Sequence, residues 1–352
     1  MYAEELKDTT EWEPFLQTCP NATFYHTPQW KEVLEEAFPQ PLYLAVRDEN
    51  GVLVAICPGF IVKSGMVKIY QSNPRSDYAG PIISPTCFGR VYEALISYLR
   101  GLSHRNGVAY AKLNLMDADF KRVFSSSALT ESNVGGVVEL DLKATPHAYI
   151  WSKVLRQKMR TKIRAIEKHG FHAEEAKTKS DLKEFYRLYE NNMHYIGALP
   201  FPYSFMEHAW DLLYPENFRV TLVRGDRAIA GTANFKYGRG TYGAYVGMDR
   251  EKCRKYPIMA YLALEEVKRA EAEGRDFVSF GSTPNDPRER HYLQKMDLGG
   301  NYRKQTTVWV PSNSTGHFLV LSRNKTIATW KNMRNFLPVG FKRSLEKRLE
   351  AF

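Results

Sequence analysis

Cysteine is scarce in this chain: four residues in 352, at positions 19, 57, 87 and 253, with no C-x-x-C pair. Such spacing supports neither a zinc site nor a disulfide framework, so free structural thiols are expected. The histidines show no metal-ligand spacing either, and no metal is expected. No stretch approaches the ~18 uncharged apolar residues needed to span a bilayer. The opening Met1-Tyr-Ala-Glu-Glu-Leu-Lys lacks the basic-then-apolar run of a secretory leader, which points to the cytoplasm. Acid is in deficit: 39 Asp and Glu stand against 49 Lys and Arg, for a net charge of +10. That balance favours anionic partners, whether phosphorylated substrates, nucleic acid or a membrane surface, without choosing among them.

What the chain does have is core-forming material, 43% apolar and 13% aromatic residues, over a length that implies ~2 domains. The stretch from Phe218 to Gly281 is its most ordered piece. Phe218-Arg-Val-Thr-Leu-Val-Arg alternates as a half-buried strand, Gly225-Asp226-Arg227 turns, and Ala228 to Tyr237 returns as a hairpin partner. Thr241 to Met248 reads as a third strand. After a basic loop, Pro257 opens a helix that Gly274 closes, and Phe277 to Ser282 is a buried strand. An antiparallel meander, a crossover helix and a strand beside it follow one another in an order that resembles that of a GNAT acyltransferase core. In such a sheet the meander and the crossover strand can splay apart.

The first third repeats that order without an alignable sequence repeat. Thr27 caps a helix with Pro28 at its first position and Trp30, Val33, Leu34 and Phe38 on one face. A hairpin follows about Asp48 to Gly51, then strands at Val67 and Gly80, a helix from Arg90 to Arg105 and a strand from Tyr110. Between two of these strands the loop Asn73 to Pro81 gathers Arg75, Asp77 and Tyr78, as a binding loop or as a tight surface connection. Ser152 to His169 is the most basic segment. Its Arg156, Lys158, Arg160 and Arg164 oppose a stripe of Val154, Met159, Ile163 and Ile166, so an amphipathic helix is expected whose cationic face meets phosphate or only solvent. Strand Phe171 to Ala176, helix Asp181 to Tyr195 and helix Tyr203 to Leu213, capped by Ser204, lead into the meander. Asp286 and Pro287 are expected to start another helix. From Ser312 the tail is basic and amphipathic, suited to an anionic membrane surface or to docking on the first domain.

These features together resemble the Fem (FemABX) family of peptidoglycan-bridge aminoacyltransferases and their wider relatives, built of two tandem GNAT-like domains. The resemblance is carried by Thr27-Pro-Gln-Trp-Lys, Asp77-Tyr-Ala-Gly-Pro and Arg156-Gln-Lys-Met-Arg-Thr-Lys. Ala228-Ile-Ala-Gly-Thr, Phe280-Gly-Ser-Thr and Gln294-Lys-Met-Asp-Leu-Gly-Gly complete it, in family order from about residue 12 to residue 311. It implies an α/β (α+β) fold with domains at 1–145 and 146–311 and a tail at 312–352. It also implies transfer of an acyl or aminoacyl group to an amine of an envelope-type peptide or sugar acceptor. The donor would be aminoacyl-tRNA or acyl-CoA, no tightly bound cofactor is expected, and the chain would be a monomer or weak dimer. Two other readings stay open: acyl-CoA-dependent transfer to a small amine, and a non-catalytic RNA- or membrane-binding pair.

Chemistry can be assigned on that basis. Lys295 occupies the position of the lysine in the family's Phe-Lys pair, with Gln294 in place of Phe, and is expected to neutralise developing charge. Tyr245 and Tyr256 are candidate acids. Backbone N–H groups from Tyr245 to Met248 are candidate oxyanion donors. The usual glycine-rich pyrophosphate loop is replaced by Arg250-Glu-Lys-Cys-Arg-Lys-Tyr-Pro, so Lys252, Arg254 and Lys255, with Val246 and Met248, are the expected donor-binding residues. Arg75, Asp77, Tyr78, Ser282, Arg288 and His291 are the expected acceptor-binding residues.

Overall fold

The computed structural model describes residues 1–85, 87–116, 130–284 and 286–322, with only the backbone described at 88, 89 and 130–134. Two compact units emerge, one of Met1–Cys19, Phe38–Ser132 and the chain from Thr306, the other of Pro20–Ala37 and Asn133–Gln305. Both are mixed α/β, as expected.

In the first unit β1 (Tyr2–Glu5), β2 (Leu44–Arg47), β3 (Leu53–Cys57) and β6 (Ile82–Ile83) form an antiparallel sheet in the order β1-β2-β3-β6. The short helix α1 (Trp12–Gln17) buries Trp12, Phe15 and Leu16. β4 (Gly59–Ser64) pairs antiparallel with β5 (Val67–Ser72), which pairs parallel with β7 (Val108–Met116). The crossover is made by α3 (Phe88–Arg100) and α4 (Leu102–Asn106), two helices where the sequence suggested one. Gly101, a poor helix former, interrupts them. Arg105 also folds back to donate to the Tyr98 carbonyl at 2.9 Å, serving a carbonyl at that break. The core is Leu44, Val46, Val91, Tyr92, Leu95, Leu99, Ala111 and Leu113.

The second unit holds β8 (Thr130–Asp141) from Asn133 onward, β9 (His172–Glu175), β10 (Phe218–Arg224), β11 (Ala228–Tyr237), β12 (Gly240–Met248) and β13 (Phe277–Thr283), in the order β8-β13-β12-β11-β10-β9. Only the β12–β13 pairing among them is parallel. β14 (Asn301–Pro311) closes the described strands. One face packs α5 (Gln157–Lys168) and the crossover helix α9 (Ile258–Ala272) through Ile163, Ile166, Ile258, Leu262 and Val278. Under α9 lies a buried polar network. Arg219, 1% exposed, pairs with Glu273 and lies 3.7 Å from Glu266, to which Asn234 donates at 3.0 Å. Burial pushes the Glu266 carboxyl up, with the Arg219 charge opposing the shift.

The opposite face is aromatic and carries α6 (Lys179–Tyr195) and α7 (Tyr203–Leu213). Phe235 of β11 stacks on Phe24 at 4.2 Å between ring centroids and touches Trp30 at 4.9 Å. Trp30 belongs to α2 (Pro28–Ala37), capped as expected by Thr27, whose Oγ1 accepts from the Trp30 N–H at 3.2 Å. Residues 20–37 therefore pack into the second unit, a partition different from a continuous 1–145 domain, because their aromatic side chains find their partners on β11.

Three local expectations change. The basic helix starts at Gln157 rather than Ser152, since Leu155 is extended and buried and Arg156 is the cap residue. Ser204 does not cap α7; Pro202 takes that position. Asp286 closes a turn, its Oδ1 accepting from the Arg288 N–H at 3.0 Å, and the helix α10 (Arg290–Met296) begins after Glu289. No helix among the described residues is long and apolar enough to cross a membrane. In the tail, residues 314–322 are helical. The basic residues from Arg323 onward lie outside the described residues.

Candidate active site

β12 and β13 run together for only three residue pairs, Gly240↔Phe277, Thr241↔Val278 and Tyr242↔Ser279. Each strand is bent where they part. β12 carries a bulge opposite Ala233 and Asn234, and β13 shifts register against β8 between Ser279 and Ser282. Gly281 sits in that shift with φ +73°, a left-handed conformation that glycine adopts without strain. A bulge adds twist and re-aims the strand, so two adjacent bulges open a cleft at the carboxyl ends of the pair.

On the β12 side the cleft bears Val246 and Met248, and α6 backs it at close range. A Cβ on Gly247 would lie 2.6 Å from the backbone nitrogen of Tyr189, so only glycine admits this approach. The approach brings Asn192, 7% exposed, to the strand: its Nδ2 donates to the Val246 carbonyl at 3.0 Å. Asn192 Oδ1 in turn accepts from Arg250 Nε at 3.0 Å and Nη2 at 2.7 Å. The Arg250 guanidinium also lies 4.7 Å from the Tyr195 ring centroid. Arg250 opens the short turn α8 (Arg250–Cys253), capped by Asp249.

On the β13 side Lys295 reaches back from α10 and donates to the carbonyls of Gly281 at 2.9 Å and Ser282 at 2.6 Å. One turn earlier on the same helix, His291 titrates below its ordinary value. Desolvation is the main cause, followed by the charges of Lys295 and Arg250. The local field is therefore positive. Among the described residues no group of His, Cys, Asp and Glu is arranged to hold a metal ion.

Ser282, His291 and Lys295 thus come together on the end of β13 and on α10, while Val246 and Met248 lie on β12, Met248 packing against the core that includes Ile258, Leu262 and Val278. Tyr245, 9% exposed, lies in the aromatic layer with ring contacts to Tyr189, Phe201 and Phe235. Tyr256 packs against His169 and Phe171, by α5. Lys252, Arg254 and Lys255 are exposed along the loop to α9. Arg288 is bound to Asp286 at 2.8 Å. Arg160 donates to the carbonyls of Trp151 and Ser152, and Arg164 lies over the Trp151 ring at 5.3 Å, whereas Arg156 and Lys158 are exposed. Arg75, Asp77 and Tyr78 belong to the first unit, in a loop where Asn73 and Arg75 both take positive φ. Asn192 and Arg250 were not singled out from the sequence. The one signal was an asparagine pair inside a helix, where asparagine has low propensity.

Residues 153–291 match the family model of the acetyltransferase (GNAT) domain. A solved structure of FemX aligns with a TM-score of 0.70 at 12% identity, covering 91% of this chain and 100% of that one. A tandem GNAT protein from the clavulanic acid biosynthesis pathway aligns with a TM-score of 0.57 at 11% identity, covering 89% and 98%. The C-terminal domain of a putative lysylphosphatidylglycerol synthetase from Agrobacterium fabrum aligns with a TM-score of 0.54 at 12% identity, covering 79% and 87%. At these identities the likeness is one of fold. No curated protein matches this chain by sequence.

Proposed function

We propose that this GNAT-fold transferase moves an acyl or aminoacyl group to an amine of an envelope-type peptide or sugar acceptor. The observation that carries the reading is the cleft opened by the divergence of β12 from β13 inside the matched GNAT domain. Such a cleft gives an extended donor backbone groups to lie along. The FemX and lysylphosphatidylglycerol synthetase likenesses favour an aminoacyl donor and an envelope acceptor.

In the reaction the acceptor ammonium first loses a proton to water, and the free amine attacks the acyl carbon. The carbonyl electrons move onto oxygen. In this reading a backbone N–H between Tyr245 and Met248 receives that oxyanion, an interaction strongest as charge develops. Collapse breaks the C–S bond of a thioester or the C–O bond of an aminoacyl ester, and the leaving sulfur or oxygen takes up the proton that the newly acylated nitrogen sheds. Lys295 holds the carbonyl-rich end of β13 and supplies positive charge to the cleft. The exposed Lys252, Arg254 and Lys255 attract the anionic donor, CoA or charged tRNA.

Titration calorimetry with CoA and acetyl-CoA, then with charged tRNA, tests the reading at two salt concentrations. Micromolar binding of CoA that survives salt selects acyl-CoA as donor; binding and turnover of charged tRNA alone select the aminoacyl route. Lys295→Ala should lower turnover at least tenfold while the melting temperature stays within a few degrees. Unchanged kinetics would remove Lys295 from the mechanism, and binding of neither donor would overturn the transferase reading.

A further inference from the structure

Between Glu190 and Glu207 the chain contains no Asp, Glu, Lys or Arg. This stretch forms the end of α6, the start of α7 and the loop between them, and the loop turns apolar side chains outward. Tyr195 is 72% exposed, Ile196 40% and Leu199 79%. Single exposed apolar residues are ordinary on a protein surface, whereas three within five positions make a patch. The backbone that carries them is fixed. The Ile196 N–H donates to the Asn192 carbonyl at 3.1 Å, Gly197, with φ +68°, donates to His194 at 3.0 Å, and Ala198 donates to Met193 at 2.9 Å. Past the tip Phe201 is anchored: its N–H donates to the Tyr189 hydroxyl at 3.2 Å, its carbonyl accepts from the Tyr186 hydroxyl at 3.0 Å and its ring stacks on Phe205 at 4.1 Å.

Shape and charge say what covers such a tip. A small ligand needs a concave site that buries most of its surface, and side chains this exposed form a projection instead. A lipid surface wraps a projection, taking aliphatic side chains below the headgroups and a tyrosine ring at their level. Cations complete the match. The Arg250 guanidinium lies 4.7 Å from the Tyr195 ring centroid, and the turn and loop that it opens bear the exposed Lys252, Arg254 and Lys255 against Asp249 and Glu251. Basic residues beside an apolar tip draw it to anionic headgroups. The tip begins three residues after Asn192, which is tied to the Val246 carbonyl, so it stands at the β12 rim of the cleft.

We propose that the loop from Tyr195 to Leu199 dips into an anionic lipid surface and brings the mouth of the β12–β13 cleft to it, so that the acceptor is an amine presented at that surface. The role of the acceptor rests on the transferase reading; the lipid contact does not, and is tested without donor or turnover.

The full chain is sedimented with vesicles of phosphatidylcholine, with and without phosphatidylglycerol. Binding to the anionic vesicles should be about fivefold or more stronger than to the neutral ones and should weaken with salt. The paired substitution Ile196→Ser and Leu199→Ser should weaken it about fivefold or more at an unchanged melting temperature, because both side chains already face water in the free chain. On vesicles Leu199→Trp should shift its emission to the blue and be quenched by brominated lipid beyond any change in the parent chain, which locates the loop in lipid whatever the basic tail contributes. No vesicle binding, binding indifferent to the serine pair, or a tryptophan at 199 that stays in water would overturn the proposal. Loss of self-association rather than of vesicle binding in the serine pair would make a second copy the occupant and overturn it as well. Titration of CoA or charged tRNA into the same samples tests the transferase reading separately, so the failure of one is distinguished from the failure of the other.

Discussion

At the scale of single residues, two cations stand at the ends of the diverging strands. Lys295 donates to the carbonyls of Gly281 and Ser282, and Arg250 to the amide oxygen of Asn192. His291 registers the result. Desolvation, Lys295, Arg250 and Arg290 lower its proton affinity, with Glu289 opposing. Its folded value thus lies below the ordinary 6.5, and as pH falls through that window the unfolded chain binds a proton that the folded chain refuses. Stability should decline with falling pH there, and the imidazole resonances of His291 should titrate below 6.5 by NMR and shift upward when an anion enters the cleft. A value at or above 6.5, indifferent to anions, would contradict the positive field. The buried thiols play no such part: burial pushes both Cys57 and Cys253 up to about 12, which leaves them protonated and unreactive.

At the scale of elements, the decisive contact is α6 lying on β12. Gly247→Ala would put a methyl against the α6 backbone, forcing helix and strand apart and pulling Asn192 off the Val246 carbonyl. A cost of about 1–3 kcal/mol is expected from overpacking. Urea denaturation measures it; an alanine variant of native stability would show that the approach is not tight. The elements themselves were legible beforehand because their signals are local. Period-2 alternation and turn residues mark β10, β11 and β12, Pro257 and Gly274 bracket α9, and Thr27 with Pro28 marks α2. Lys295 was expected through its place in a family pair. Illegible were contacts with no periodic trace: Asn192 and Arg250 stand 58 positions apart, on elements whose own patterns say nothing of each other. The start of α10 also escaped, because Asp286 and Pro287 fit a turn as well as a helix cap.

At the scale of the whole chain, neither compact unit is a continuous stretch. The second takes residues 20–37 from the first third, and the first takes the chain from Thr306. Expressed alone, 146–352 would lack Phe24, Tyr25 and Trp30, stripping Phe235 and Tyr242 of the rings that pack on them from residues 20–37. Such a fragment should lose near-ultraviolet circular dichroism and cooperative unfolding, whereas a sharp transition would show that the second unit folds without the segment. The divergence of β12 and β13 has a further meaning. Peptide edges left open at the rim of a sheet invite other chains to add a strand and aggregate. Here the strands are fastened at one end by three residue pairs, and beyond them the Val246 carbonyl accepts from Asn192 and those of Gly281 and Ser282 from Lys295. Side chains of the same fold thus occupy carbonyls that an intruding strand would need.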